Sequence, residues 1–398
     1  MSSGYELFID EVDGRLHAAV TCKGVLSDLY VDPLDMTASW ASLYAGKVVK
    51  IDKKLDAAII DLGNGLQGLL PAKHVHVQGA DQSIARTGIA ELLAPGQMIL
   101  VQVKSEGRKG ESLEHNKLPR LTMKIYVMGQ YLLYSPVLNR VTISRMVDAE
   151  DTLALTTRLS GKGGWIVQPG AAMANAGAII KESEQLLSEW HIIKAERETG
   201  ENRPRILKGG PNAIHRALSD YGSPHFDHIH VATKKLLDQM VAWCDRFEPT
   251  LATSKRLRLF KPEKVGQKLF EIHDIFSELA DIGNEVVYLP SGGTIIFETT
   301  RAFTVVDVNQ GDGANPLTVN EEAVDAVARH LKLRNISGAV IVDFISMSLK
   351  TDRFQIVTRL EQALAADAAT AQVHGFTRLG LIELTRKRRN GWLAEKLR

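Results

Sequence analysis

Phe303-Thr304-Val305-Val306-Asp307-Val308-Asn309 and Ala339-Val340-Ile341-Val342-Asp343-Phe344-Ile345 are two apolar runs, rich in β-branched residues, each carrying one acid near its end. Between them, Asn320 to Leu331 place Ala323, Val324, Val327 and Leu331 at helical spacing. Strand, helix, strand predicts a parallel crossover unit. Asp307 and Asp343 then sit near the carboxyl ends of neighbouring strands, where open α/β sheets place their ligands. Asn309, two residues beyond Asp307, points from the same face. Two carboxylates and an amide suit a hard divalent cation such as Mg2+, which takes oxygen ligands. Spacing leaves a plainer alternative open for either acid: capping the next helix or pairing with a surface lysine.

The rest of the chain bounds what such a site could serve. Its 398 residues allow several compact units, and 44% hydrophobic with 24% charged residues is ordinary for a globular protein. A net charge of +1 means that any nucleic-acid partner is held by local basic patches and not by overall charge. Cys22 and Cys244 form no C-x-x-C pair, which excludes a disulfide framework or a Cys-rich zinc module within these residues. The first ten residues show neither a basic nor an apolar leader segment, and no run is long enough to span a membrane. The expectation is a cytoplasmic protein without membrane association.

Residues 1–38 show short alternating runs read as strands. Residues 39–125 read as all-β: Tyr44 to Ile51, Asp56 to Leu62, a Gly63-Asn64-Gly65 turn, Gln67 to Leu70, Met98 to Val103 and Leu121 to Val127. Short strands at this spacing suggest a small OB-type barrel. Residues 126–205 are mixed, with a helix around Ala149–Leu159, the run Gly164-Trp165-Ile166-Val167, and a long amphipathic helix from about Ala176 to Glu198. Residues 206–280 alternate strands and helices, and 281–398 hold the two acid-tipped runs and the basic segment Arg386-Lys387-Arg388-Arg389.

Strings along the whole chain resemble the ribonuclease E/G family. Tyr44-Ala45-Gly46-Lys47-Val48, Leu55 to Gly63 and Gly68-Leu69-Leu70-Pro71 look like its S1 RNA-binding barrel. Ile143-Ser144-Arg145, Gly164 to Val167 and Leu187-Ser188-Glu189-Trp190 fall where its 5′-sensor lies. Leu289-Pro290-Ser291-Gly292-Gly293, Val306 to Asn309, Ile341 to Ile345 and Arg378 to Glu383 match its catalytic region. The resemblance implies an α+β multi-subdomain chain. An RNase H-like layer (1–38 with 206–280) would be interrupted by the S1 barrel (39–125) and a sensor-like region (126–205), and a DNase I-like catalytic subdomain (281–398) would follow. It implies Mg2+, with Mn2+ able to stand in, bound by Asp307 and Asp343, and Asn309 orienting one carboxylate. The product ends would be a 5′-phosphate and a 3′-hydroxyl. Single-stranded RNA is the implied partner, contacted by Lys47, Lys117, Arg120 and Arg145. A homodimer is compatible with the resemblance.

The chain also departs from the family. Gln168 and Pro169 stand where an Arg-Thr pair recognises a 5′-monophosphate, and Thr370 falls where a further supporting Arg belongs; the expectation is lost or weak 5′-end sensing. Ile59 and Leu69 replace two base-stacking aromatic residues, so the barrel should bind RNA less tightly. The loop Gln310 to Pro316 lacks the family's arginines, and Ser346 takes the place of a second acid. The zinc-linking C-x-x-C does not follow Arg388, so a zinc-linked tetramer is not expected.

Other signals are weaker. His228 and His230 share a strand face but read more readily as a solvated face than as a metal pair. Ser160-Gly161-Lys162-Gly163-Gly164 lacks the helix a phosphate loop needs. Lys104, Arg108, Lys109, Lys117 and Arg120 concentrate charge in one barrel loop, either merely solvated or tracking RNA phosphates. Glu298 is either a third site carboxylate or a cross-strand surface partner. The reading is a Mg2+-dependent endoribonuclease cutting single-stranded RNA in processing or turnover. Its alternatives are a catalytically weak or inactive RNA-binding scaffold, and a phosphoesterase acting on another nucleotide.

Overall fold

The computed structural model describes residues 4–33, 39–76, 87–107, 118–143, 155–159, 163–168, 170–171, 174–199, 201–300, 302–312, 315–365 and 367–387. Lys117, Arg145, Pro169, Arg108, Lys109 and the start of the expected helix at 149 lie outside the described residues, as do Ser160 to Lys162 and Arg388 with Arg389. The fold is mixed α+β and is built on four sheets.

The first sheet is five-stranded, in the order Leu257–Leu259, Phe226–Val231, Tyr5–Val12, Arg15–Cys22, Val25–Pro33. The three N-terminal strands run antiparallel, and the two later ones add in parallel. The strand Val25–Pro33 extends the pattern expected from the sequence. Helices Ala213–Tyr221 and Lys234–Phe247 bury one face through Ile214, Leu218, Leu236 and Met240. Leu269, Phe270, Ile275 and Ile282 cover the other face.

Strands Leu43–Asp52, Ala57–Gly63, Leu66–Pro71, Arg120–Thr122 and Met98–Ser105 form a closed five-stranded barrel, sealed by pairing of the first with the last. Gly46 lets the first strand cross closely, because a Cβ there would lie 2.5 Å from the Ile60 side chain. The strand Arg205–Lys208 joins the edge of this barrel sheet by pairing with Leu43–Ala45. A four-stranded sheet follows, in the order Val141–Ile143, Gly164–Val167, Leu132–Ser135, Val127–Met128. Helix Ala176–Thr199 packs on it through Ile179, Leu186 and Ile193.

The last sheet has six strands, in the order Val286–Tyr288, Thr294–Thr299, Phe303–Asn309, Gly338–Asp343, Ile382–Arg386, Ala371–Phe376. Its central pair is parallel, and helix Pro316–Leu333 connects the two strands. Asn315 caps that helix, accepting from Leu317 N at 2.9 Å, with Pro316 at its first position. Helices Pro316–Leu333 and Lys350–Leu364 share one core with Val306, Val308, Val340, Val342, Ile382 and Leu384. Both helices lie on the same side. The strand residues that alternate with these, Val305, Asp307, Asn309, Ile341, Asp343 and Glu383, are half-buried or exposed. Arg329, on the longer helix, ties this unit to the first sheet: it donates to Leu26 O at 2.7 Å and to Glu278 at 2.6 Å.

Candidate active site

The parallel register places Asp307 directly opposite Asp343. Neighbouring strands are about 4.8 Å apart, so two like charges face each other across one ladder step. No ion pair among the described residues joins either acid. Asn309 Nδ2 donates to Asp307 Oδ2 at 2.9 Å, which leaves the other carboxylate oxygen open. Paired accessible carboxylates without a cationic partner fit a divalent cation of the Mg2+ type, which binds through one or two carboxylates and keeps its remaining waters. Mn2+ accepts the same oxygen donors. Asp307, Asp343 and Asn309 are therefore brought together as the sequence suggested. Glu298 shares their face but sits opposite Val305, two residues along the strand from Asp307.

The loops beside the acids are held by residues that sequence reasoning missed. Asn320, fully buried on the helix, donates to Ile345 O at 2.9 Å and accepts from Ile345 N at 3.0 Å, which fixes the chain just after Asp343. Its signal was an amide within the otherwise apolar stripe of Val319, Ala323 and Val324. On the other side, the Leu289-Pro290-Ser291-Gly292-Gly293 turn packs against the loop after Asn309. A Cβ on Gly293 would lie 2.9 Å from Asn309 O, and one on Gly311 2.3 Å from Gly292 O. Glu322 secures the turn by accepting from Ser291 N at 3.0 Å and Ser291 Oγ at 2.7 Å.

The barrel presents a row across its strands in which Lys50 lies opposite Ile59, Ile59 opposite Leu69, and Leu69 beside Arg120. Lys47 is exposed and lies opposite Asp61. Further cations gather near Arg120. Lys104 Nζ lies 3.0 Å from His74 Nε2. Partial burial, then the charges of Lys104, Lys124, Lys73 and Arg120, push His74 down to about 4. Lys104 is lowered by burial and by Lys73, Lys124, Arg120 and Lys387. Lys387 follows the last strand of the acid-bearing sheet, so the cluster spans both units. Among the described residues no acid pairs with these lysines. Lys104, Arg120 and Lys387 stood out in the sequence, in two separate basic segments; Lys73 and Lys124 did not, and only the packed structure brings the five together.

In the four-stranded unit, Gln168 is buried and donates through Nε2 to Gly129 O at 3.2 Å and Gln130 O at 3.1 Å. Glu182 accepts from the backbone N–H of Gln130, of Tyr131 at 2.8 Å and of Leu132 at 3.0 Å. Burial raises its carboxyl to about 7 against the pull of those three donors. Thr370 stands in the turn before Ala371–Phe376 with φ 56°, and its carbonyl accepts from Lys387 N at 3.3 Å. No hydrogen bond among the described residues connects Thr370 with Gln168. His230 stacks on Phe8 and lies 3.4 Å from Glu6, and no metal-binding group of three or more His, Cys, Asp or Glu occurs among the described residues. No helix among them is long and apolar enough to cross a membrane.

Comparison with known proteins gives the chain's relatives. Residues 127–389 match the sequence model described as the Ribonuclease E/G family. The chain is 33% identical to ribonuclease E of Synechocystis over 95% of its own length and 56% of the relative's. It is 27% identical to ribonuclease G of Escherichia coli over 96% of its length and 80% of the relative's. Against ribonuclease E of Nostoc the identity is 31%, over 87% of this chain and 51% of the relative. The chain thus spans about half the length of the ribonuclease E relatives and most of that of ribonuclease G. With the match extending over most of its residues, the chain belongs to the ribonuclease E/G family.

Proposed function

We propose that this chain is a Mg2+-dependent endoribonuclease that hydrolyses phosphodiester bonds in single-stranded RNA, with little dependence on a 5′-monophosphate. The observation that carries this reading is the in-register Asp307–Asp343 pair, steered by Asn309, on the face of the sheet that its two helices leave uncovered. Asp307 and Asp343 would hold the ion as ligands. Asn309 keeps the Asp307 carboxylate turned, and the Asn320–Ile345 bonds keep Asp343 in place. When bound, the ion supplies Lewis-acid stabilisation of the phosphate charge and makes water a better nucleophile. The cations around Lys104 and Arg120 suit an RNA backbone leading to the acids.

The sensor-like unit supports indifference to the 5′ end. The Gln168 amide is committed to two carbonyls, and the Glu182 carboxylate already takes up three backbone donors, so neither leaves donors for a terminal phosphate. In the first sheet, three antiparallel strands followed by two parallel ones support an RNase H-like layer. We assign the unit from 281 onward as the DNase I-like catalytic subdomain. A second reading, a weakly active RNA-binding relative, is favoured by one observation: the aliphatic Ile59–Leu69 pair offers no ring for stacking.

The test uses a labelled single-stranded RNA with Mg2+, Mn2+ or EDTA, and the Asp307→Ala and Asp343→Ala variants. Cleavage by wild type with either metal, and loss in EDTA and in both variants, is expected. Cleavage that persists in a variant overturns the ligand assignment, and binding without cleavage favours the scaffold. A strong preference for 5′-monophosphate over 5′-hydroxyl substrate overturns the sensor reading.

A further inference from the structure

Tyr288 ends the edge strand of the acid-bearing sheet with 81% of its surface exposed. The register runs Tyr288 opposite Thr294, and Thr294 opposite Asn309, so the ring stands on the same face and in the same row as the amide that steers Asp307. The next row is Val286, Ile296, Asp307 and Asp343. Two strand spacings place Tyr288 about 10 Å from Asn309 along the row, within reach of a short stretch of extended single strand.

Nothing among the described residues accounts for the ring. Among the described residues it makes no hydrogen bond and no ring contact, and the sheet's helices pack on the opposite face. Among the described residues the other prominently exposed Phe, Tyr or Trp rings are Phe303, lower on the same face, and Phe354, 74% exposed in the helical layer on the far side. Among the described residues the aromatic surface beside the acids is therefore Tyr288, in a chain whose barrel row carries Ile59 and Leu69. Unpaired bases stack on aromatic faces whatever their identity, and a tyrosine offers that face with a polar end that tolerates water.

We infer that Tyr288 stacks against an unpaired base of the RNA next to the phosphate held at Asp307 and Asp343, and supplies base contact at the cutting site. The inference rests on the endoribonuclease reading. Because the stack forms before and during cleavage alike, its loss raises KM and leaves kcat nearly unchanged.

The test compares wild type, Tyr288→Ala, Tyr288→Trp and Phe354→Ala. Binding of a fluorescent single-stranded oligonucleotide is measured in EDTA, and cleavage is measured with Mg2+. Tyr288→Ala is expected to weaken binding roughly five-fold or more, while Tyr288→Trp restores it and Phe354→Ala has no effect. An oligonucleotide with one abasic position, moved stepwise past the cleavage point, should lose affinity for wild type at one place and lose nothing further with Tyr288→Ala. Wild-type affinity in a folded Tyr288→Ala protein overturns the stack while leaving the endoribonuclease reading intact. A changed sedimentation state with unchanged RNA affinity overturns it in favour of contact with a second copy of the chain. A wild type that neither binds nor cuts RNA overturns both readings.

Discussion

Asn309 donates to only one oxygen of Asp307, so it orients that carboxylate without neutralising it. On the proposed reading Asp307 is a metal ligand, and a group that orients such a ligand acts on rate and on metal demand more than on substrate binding. Asn309→Ala is expected to slow single-turnover cleavage by roughly 10- to 100-fold and to raise the Mg2+ concentration needed, with RNA affinity nearly unchanged. Wild-type turnover in that variant would remove the orienting role. The pairing of Asp307 with Asn309 was readable from the sequence because it depends only on the two-residue period of a strand. The confinement of Gln168 was not: its donors go to Gly129 and Gln130, carbonyls distant in the chain, and only the packed structure brings them to its amide.

At the scale of elements, strand, helix and strand appeared where the apolar spacing put them. The pattern also showed more than the runs suggested. Phe303–Asn309 alternates buried and accessible positions, as a strand covered on one face does. Asn320 shows how an element serves the site from behind. Its amide imitates a strand partner for Ile345, so Asn320→Ala leaves a backbone donor and a backbone acceptor without their partner. A loss of stability of about 1–3 kcal/mol for each group left unsatisfied is expected, with slower cleavage as the Asp343 loop loosens. Urea unfolding and turnover measured on the same variant check this, and an unchanged midpoint with unchanged turnover would refute it. Asn320 was visible as a polar interruption of a helical stripe, but its partner lies beyond the next strand and no local rule names it.

The whole molecule assembles charge that no segment owns. Lys73, Lys104, Lys124 and Lys387 come from a short helical turn, two parts of the barrel and the end of the last sheet. Replacing Lys104 and Lys124 by Ala is expected to weaken binding across RNA sequences alike and to flatten the log affinity against log salt plot by about 0.7 for each phosphate no longer neutralised. An unchanged slope would remove the cluster from the RNA path.

Stability against pH is another property of the whole chain. Burial, with Lys208 near His215 and Arg334 near His330, lowers these imidazoles from 6.5 to about 4 and about 3. As pH falls below 6.5 the unfolded chain takes their protons first, so this part of the stability is complete above 6.5 and is lost toward pH 4 for His215 and toward pH 3 for His330. Glu182 works in the opposite sense. With its pKa raised from 4.5 to about 7, the fold takes the proton first, and its contribution is present below 4.5 and lost as pH rises to about 7. Glu182→Gln is therefore expected to steepen the fall in unfolding free energy between pH 6.5 and 4.5, measured by urea titration. Parallel pH profiles for variant and wild type would contradict it.

Sequence alone determined the elements that frame the candidate site: two apolar strands with Asp307 and Asp343 near their ends, the helix between them, and the short barrel strands. Periodicity is a local property, and each of these reads within a dozen or so neighbouring residues. The tertiary structure decided what faces what. Asp307 meets Asp343 because the two strands pair in that register, the acids stay open because both helices pack on the other face, and Tyr288 joins their row through an edge strand. Those relations depend on which distant surfaces bury one another, and burial of that kind is written in no single stretch of the chain.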